Sequence, residues 1–318
     1  MKPVLKIRNL RVYYRTKRGI VKALDNVSFD VYRGEILGVV GESGCGKSTL
    51  GLTIMRLLPP NAKIISGQIL FNGVDLLKLS NEEMRKLRGS KISMIFQDPM
   101  TSFNPLMKIG DHVLEVFKYH EFNDLEKAKE IAVKILQKMG LESGRFYDYP
   151  HQLSGGQRQR VMIATAIAMK PEVIIADEPT TALDVITQAQ ILKILRELRD
   201  EIGSSIILIT HNLGVIAQIA DRVVVMYAGK VVEVGNVDEI FSDPKHPYTQ
   251  GLIRAVPKLS PEGGQLQPIP GSVPDLINPP SGCRFHPRCP FASEICSKEE
   301  PPAVSLNGRL VYCHLYKR

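Results

Sequence analysis

Gly41-Glu42-Ser43-Gly44-Cys45-Gly46-Lys47-Ser48-Thr49 follows the apolar run Ile36-Leu37-Gly38-Val39-Val40 and precedes Leu50-Gly51-Leu52-Thr53-Ile54-Met55. The apolar run reads as a buried strand and the later stretch as a helix; a glycine-rich turn between the two is a phosphate loop. Successive backbone N–H groups and the positive end of the helix dipole converge there on one anion. The glycines at 41, 44 and 46 permit an approach that a Cβ would block. In such a loop Lys47 reaches the β- and γ-phosphates, and the Ser48 hydroxyl takes a place on Mg²⁺. An ordinary glycine-rich turn would leave the fixed positions and their strand–helix setting unexplained.

The chain has 318 residues, 44% of them hydrophobic, enough for a sizeable core in one large domain or two. Its formal net charge is +8, which could suit nucleic acid, anionic lipid or a nucleotide, but the basic residues are scattered without a block of five or six and read mainly as a solvated surface; the expectation is no nucleic-acid partner. The longest apolar runs, such as 173–176 and 205–209, fall far short of the ~20 residues that span a bilayer. Met1-Lys2-Pro3 leads into mixed polar sequence with no apolar signal core. The expectation is a cytosolic chain whose link to a membrane runs through a partner.

Along the chain, Leu5, Ile7 and Leu10 alternate with Lys6, Arg8 and Arg11 as a strand does, and a second strand pair reads at 21–24 and 27–31. Residues 66–73 read as a strand closing in an Asn72-Gly73 turn, Ser80 and Glu83 as a capping box, and 92–96 as a strand ending at Gln97. From 104 to about 149 the signals are helical, with an apolar stripe of Leu125, Ala128, Ile131, Ala132, Ile135 and Leu136, a capping box at Asn123 and Glu126, and a stop at Gly140. Strands resume at 173–177 and 206–210 around a helix from about 186 to 199, which argues for a parallel sheet. A hairpin follows around Ala228-Gly229. Beyond Asp243, nine prolines between 244 and 280 read as a boundary and an irregular appendage rather than more sheet.

Asp177, closing the run Val173-Ile174-Ile175-Ala176, can hold Mg²⁺ directly or through water, and Glu178 beside it can polarise the water that attacks a γ-phosphate. His211 ends the next strand, where it can contact the γ-phosphate and orient Glu178 or the water. Gln97 can place its amide oxygen on Mg²⁺ or on that water; the plainer alternative is a loop hydrogen bond. Leu153-Ser154-Gly155-Gly156-Gln157-Arg158 enters a helix and offers a second set of bare N–H donors to an anion. Tyr13 and Tyr14 lie on a strand, either as packing residues or as a stacking surface for an adenine ring.

Together these motifs resemble the ATP-binding subunit of an ABC transporter, in the family order over residues 4 to about 240. The resemblance implies an α/β P-loop NTPase core with an antiparallel β subdomain over 1–242, a helical subdomain with the signature motif inserted at about 98–160, and a C-terminal extension over 243–318. It implies two such subunits packed head to tail, each ATP held between the phosphate loop of one and the signature stretch of the other. On that basis Gly41, Glu42, Ser43, Gly44, Cys45, Gly46, Lys47, Ser48 and Thr49 bind phosphates, while Ser48, Gln97 and Asp177 meet Mg²⁺. Ser154, Gly155, Gly156 and Gln157 clamp the partner's nucleotide, Glu178 is the catalytic base and His211 the switch histidine. Ala182-Leu183-Asp184 signals between subunits, and Tyr14 aligns with the adenine-stacking aromatic. No motif is degenerate, so the resemblance implies a hydrolysing enzyme.

Residues 96–105, His246-Pro247-Tyr248-Thr249 and Pro270-Gly271-Ser272-Val273-Pro274 resemble the dipeptide and oligopeptide importers. That branch also contains nickel and oligosaccharide importers. The implied assembly is two ATPase subunits, two membrane permeases and an external binding protein, with this chain on the cytoplasmic face of the membrane and the region after Gln97 docking a permease. ABC ATPases that act on ribosomes or DNA generally carry two cassettes or a long coiled-coil insertion, and this chain has neither.

Four of the five cysteines, Cys283, Cys289, Cys296 and Cys313, lie in the tail. In a reducing compartment such clustering favours a metal over disulfides. Their spacing leaves open an iron–sulfur cluster, a zinc ion, or simple buried or reactive thiols; some members of the peptide branch are thought to carry a [4Fe-4S] cluster, and the pattern resembles theirs. A tail acting mainly as a redox module, with the ATPase subordinate, is a further reading. Cys45 reads as a small filler inside the phosphate loop.

Overall fold

A computed structural model describes residues 2–120, 122, 124–255 and 268–317. The chain divides into two compact units, Lys78–Ile207 and the pair of segments Lys2–Leu77 and Leu208–Arg318.

The unit made from the two ends of the chain contains a four-stranded antiparallel sheet in the order Gly19–Tyr32, Pro3–Thr16, Ala62–Phe71, Val74–Asp75. Leu5, Ile7, Leu10 and Val12 are wholly buried, and their spacing breaks period two between Ile7 and Leu10. The register shifts at that point, where Asn9 takes φ 47°, so Leu10 and Val12 return to the buried face. The strand pair expected at 21–24 and 27–31 is one strand: Asn26, at φ 64°, forms an irregularity within it and not a turn. Asparagine tolerates the left-handed conformation, which lets pairing continue through it.

In the same unit Ile36–Val40, buried at every residue, pairs in parallel with Arg222–Tyr227. Lys230–Asn236 follows antiparallel, as the Ala228-Gly229 turn implied. The tail corrects the sequence reading. Arg309–Tyr312 pairs with Lys230–Asn236 through Glu233 and Val311, and Ala303–Leu306 pairs with Arg309–Tyr312. Proline density marked the entrance to the extension, but its last residues are proline-free: Asn307-Gly308, at φ 50° and 90°, makes a tight turn and Val311 is wholly buried.

In the unit Lys78–Ile207, Ile92–Ile95 and Val173–Asp177 are wholly buried parallel neighbours. The capping box of Ser80 and Glu83 starts the helix Asn81–Leu87. The helix Leu125–Lys138 buries Ala128, Ala132 and Leu136, one face at successive fourth residues, whereas Leu125 of the expected stripe is exposed. Asn123 lies outside the described residues; the cap is Asp124, whose carboxylate accepts the N–H of Lys127 at 3.0 Å. The helix Val185–Ile202 is longer than expected, because Asp184 caps its start and Gly203, at φ 73°, its end. No helix among the described residues is long and apolar enough to cross a membrane.

His246 ties the start of the extension to the sheet. Its N–H donates to Glu233 Oε2 at 2.9 Å, and its Nδ1 accepts the N–H of Tyr248 at 3.0 Å, capping the helix Pro247–Arg254. Burial pushes the imidazole down to about 3. It is therefore neutral in the folded chain and titrates near its ordinary value, about 6.5, in the unfolded one. The unfolded state takes up the proton first, so this contribution is complete above about pH 6.5 and is lost as pH falls toward 3. Urea unfolding should show about 2 kcal/mol of stability lost between pH 7 and pH 5 through this group. His246→Asn, which keeps a capping acceptor, should remove most of that slope.

Candidate functional site

The phosphate loop leaves the buried strand Ile36–Val40 and enters the helix Lys47–Ile54. A Cβ on Gly41 would collide with the Met226 carbonyl and one on Gly46 with the Ala23 carbonyl, so at both positions the backbone fits only as glycine. Gly46 is the N-cap at φ 103° with no side-chain cap, which leaves the first helical N–H groups without a capping side chain. Lys47 is buried, and its Nζ donates to the carbonyls of Gly41 at 2.7 Å and Glu42 at 3.1 Å. Cys45 is wholly buried beside it, and burial pushes its thiol up, as suits a filler. Ser43 and Gly44 are exposed and Ser48 half-buried. Tyr14, half-buried, places its hydroxyl 3.2 Å from Thr49 Oγ1, at the start of the same helix. His211 is exposed after the strand Ser205–Ile209.

Three side chains that hold this loop were not anticipated. The N–H of Glu42 donates to Tyr248 Oη at 2.9 Å, and its carboxylate accepts both arms of Arg288, at 2.8 and 3.1 Å. Tyr227 Oη accepts from the same guanidinium at 3.3 Å. Arg288 stands 246 residues from Glu42, so no local pattern announces the contact.

The other unit holds the carboxylates. Asp177 ends the buried strand Val173–Asp177 and is 4% exposed; Glu178 follows at φ 47°. A left-handed glutamate is strained, which is the state in which chains hold functional side chains. Glu178 Oε2 accepts from Thr181 Oγ1 at 2.7 Å and from Gln97 Nε2 at 3.4 Å. The structure thus brings Gln97 and Glu178 together and adds Thr181, which the sequence reading passed over. Ser48 carries a hydroxyl, Gln97 an amide and Asp177 a carboxylate, and oxygen donors of these kinds are what Mg²⁺ takes.

At the signature stretch, Ser154 caps the helix Gly155–Ile167. Its Oγ accepts the Gln157 N–H at 3.3 Å and Gln157 Oε1 accepts the Ser154 N–H at 2.9 Å. Two of the donors expected to be bare are therefore engaged in a capping box, and the N–H groups of Gly155 and Gly156 lie outside it. A Cβ on Gly156 would meet the Thr187 side chain at 2.8 Å. Asp184 accepts from Ile186 and Thr187, whose hydrogen bonds hold its carboxyl below the usual range. Val185 and Ile186 beside it are 80% and 73% exposed.

A family model described as ABC transporter matches residues 24–181. The dipeptide transport ATP-binding protein DppD of Bacillus subtilis is 50% identical over 99% of this chain and 95% of its own length. The chain belongs to the ABC transporter family. It is an ATPase of the ABC type, and a second family model, the C-terminal region of oligopeptide/dipeptide transporters, matches residues 232–296. The oligopeptide transport ATP-binding protein OppD of Escherichia coli is 48% identical over 98% of this chain and 92% of its own. A solved ATP-binding cassette dimer in a post-hydrolysis state, bound to ADP and Pi, is 31% identical with a TM-score of 0.67, covering 73% of this chain and 98% of that one.

The cysteine extension departs from expectation. Cys283, Cys289, Cys296 and Cys313 are free thiols, and among the described residues no group of three or more His, Cys, Asp or Glu side chains is arranged to hold a metal ion. The iron–sulfur or zinc site therefore gains no support from this geometry. Burial, followed by the charges of Cys313, Cys296 and Cys289, pushes Cys283 up to about 11. The N–H of Cys283 donates to the Cys296 carbonyl at 2.8 Å.

The Thr181 hydroxyl is the short contact of the Glu178 carboxylate, and a hydrogen bond to a charged group contributes about 1.5–3 kcal/mol. Thr181→Val should lower ATP turnover roughly tenfold and leave KM for ATP within about twofold, because it disturbs the orientation of Glu178 and not nucleotide binding. Steady-state phosphate release decides it.

Proposed function

We propose that this chain is the ATP-hydrolysing motor subunit of an importer of dipeptides and oligopeptides. The observation that carries the proposal is that proteins named for dipeptide and oligopeptide transport match the chain almost end to end, cassette and extension together. These relatives do not favour nickel or oligosaccharide import, or an ATPase acting on ribosomes or DNA.

In this reading residues 1–242 form the nucleotide-binding domain, with a helical subdomain at about 98–160, and 243–318 the peptide-importer extension. Gly41 to Thr49 cradle the phosphates, Lys47 reaches the β- and γ-groups, and Tyr14 stacks on adenine. Ser48, Gln97 and Asp177 would hold Mg²⁺, which supplies neutralising charge to the phosphates when bound. Glu178, oriented by Thr181 and Gln97, takes the proton of the attacking water, and His211 contacts the γ-phosphate. Ser154, Gly155, Gly156 and Gln157 clamp the nucleotide of a second ATPase subunit. The exposed Val185 and Ile186, beside Asp184, suit a dimer contact. A cleft of about 450 Å³ lined by Arg85, Phe96, Phe103, Glu115, Tyr119 and Met162, with Met100 and Leu106 exposed nearby in sequence, suits a permease segment. The chain then works peripherally at the cytoplasmic face of the membrane, with two permeases and an external binding protein. ATP closes the dimer, and hydrolysis and release of phosphate reset it.

Reconstituted importer should take up labelled di- to hexapeptides only with ATP. Glu178→Gln should still bind ATP and lose at least about a hundredfold in turnover and uptake, as removal of a general base predicts. Normal turnover by that variant removes the role of Glu178, and ATP hydrolysis without peptide uptake removes the substrate class.

The finer reading of the extension, a metal held by the four cysteines, rests on their clustering in the sequence between Cys283 and Cys313. Chain purified without oxygen should contain iron and acid-labile sulfide at about four each. Zinc at one per chain would replace the cluster by a zinc site, and a metal-free chain would overturn both.

A further inference from the structure

Glu42 places a carboxylate in the second position of a loop built to bind anions. Left with its charge uncompensated, it would oppose the phosphates that Lys47 and the helix start attract. Arg288, 9% exposed, meets it with a two-pronged contact at 2.8 and 3.1 Å. The arginine is not held by Glu42 alone. Its Nε donates to the Pro270 carbonyl at 2.8 Å, one terminal nitrogen also to Ile269 O at 3.3 Å, and the other to Tyr227 Oη at 3.3 Å. Five N–H groups meet five acceptors, two of them main-chain carbonyls of the extension, so the guanidinium is held from both sides.

The main chain of Glu42 is equally committed. Its N–H goes to Tyr248 Oη, and its carbonyl receives Lys47 Nζ at 3.1 Å and the Cys45 N–H at 3.2 Å. Whatever fixes Glu42 therefore fixes the carbonyl against which the Lys47 ammonium rests.

We propose that Arg288 is a positioning residue of the phosphate loop, which neutralises and anchors Glu42 so that the field of the loop is kept for the nucleotide phosphates. The C-terminal extension is thereby part of the nucleotide-binding apparatus and not only an appendage of it. This rests on the phosphate-loop reading of residues 41–49 given above.

The test is a double-mutant cycle on the full-length chain, read as the Kd of a fluorescent N-methylanthraniloyl ATP. Arg288→Ala should weaken binding about tenfold, or about 1.4 kcal/mol. Made on top of E42Q, where there is no carboxylate to neutralise, the same substitution should cost less than about threefold. An equal loss in both backgrounds would mean that Arg288 acts on the fold and not through Glu42, and overturns the proposal; so does no loss in either. Should the alanine variant fail to fold, Arg288→Gln, which keeps donors for the extension's carbonyls, is carried through the same cycle. A wild-type chain that does not bind the analogue overturns the phosphate-loop reading and this proposal with it, whereas the outcomes above, with wild-type binding intact, overturn this proposal alone.

Discussion

A buried ammonium has to be satisfied, and that of Lys47 is satisfied by main-chain carbonyls of its own loop, those of Gly41 and Glu42. Carbonyl oxygens meet its hydrogen-bonding need without cancelling its charge. The carboxylate that could cancel it, Glu42, is turned to Arg288. The rest of the unit serves this separation. The strand Ile36–Val40 is buried at every residue, and Gly41 and Gly46 bring the loop against main-chain carbonyls where a Cβ has no room. The extension supplies the arginine and the tyrosine that keep Glu42 in place.

The second unit solves a different problem, how to hold a pair of carboxylates at a strand end. Asp177 is buried, and Glu178 beside it sits in a left-handed conformation with Thr181 and Gln97 on its side chain. Buried parallel strands give that point a rigid base, and hydrogen bonds fix the one side chain that projects from it. The same economy marks the helix starts. Ser80, Asp124, Ser154 and Asp184 each cap a helix with their own side chains, so most α-helix starts described in this unit are satisfied locally.

Local chemistry made much of this legible. The phosphate loop, the strand before it, the Asp-Glu pair, the capping box at Ser80 and the hairpin at Ala228-Gly229 depend on residues a few positions apart, and they formed as read. The misreadings have physical causes. Asn26 interrupts an apolar pattern in the way a turn does, but a left-handed asparagine can sit inside a strand whose pairing continues. The tail was judged by its prolines, although Asn307-Gly308 beyond them carried the turn signal. Ser154 and Gln157 spend on each other two donors that the motif suggested were open.

By itself, the sequence determined the family and the ATPase class and supplied the motifs that hold the candidate side chains, because a phosphate loop, a signature helix and a strand-end glutamate are built from neighbouring residues. Tertiary structure alone decided what holds those parts. That Arg288 meets Glu42 across 246 residues, that Glu233 receives the N–H of His246, and that Val311 pairs with Glu233 follow from which distant segments folding brings side by side. Such contacts leave no periodicity or motif in the chain, since each partner is an ordinary residue until folding desolvates it and makes its hydrogen bonds obligatory.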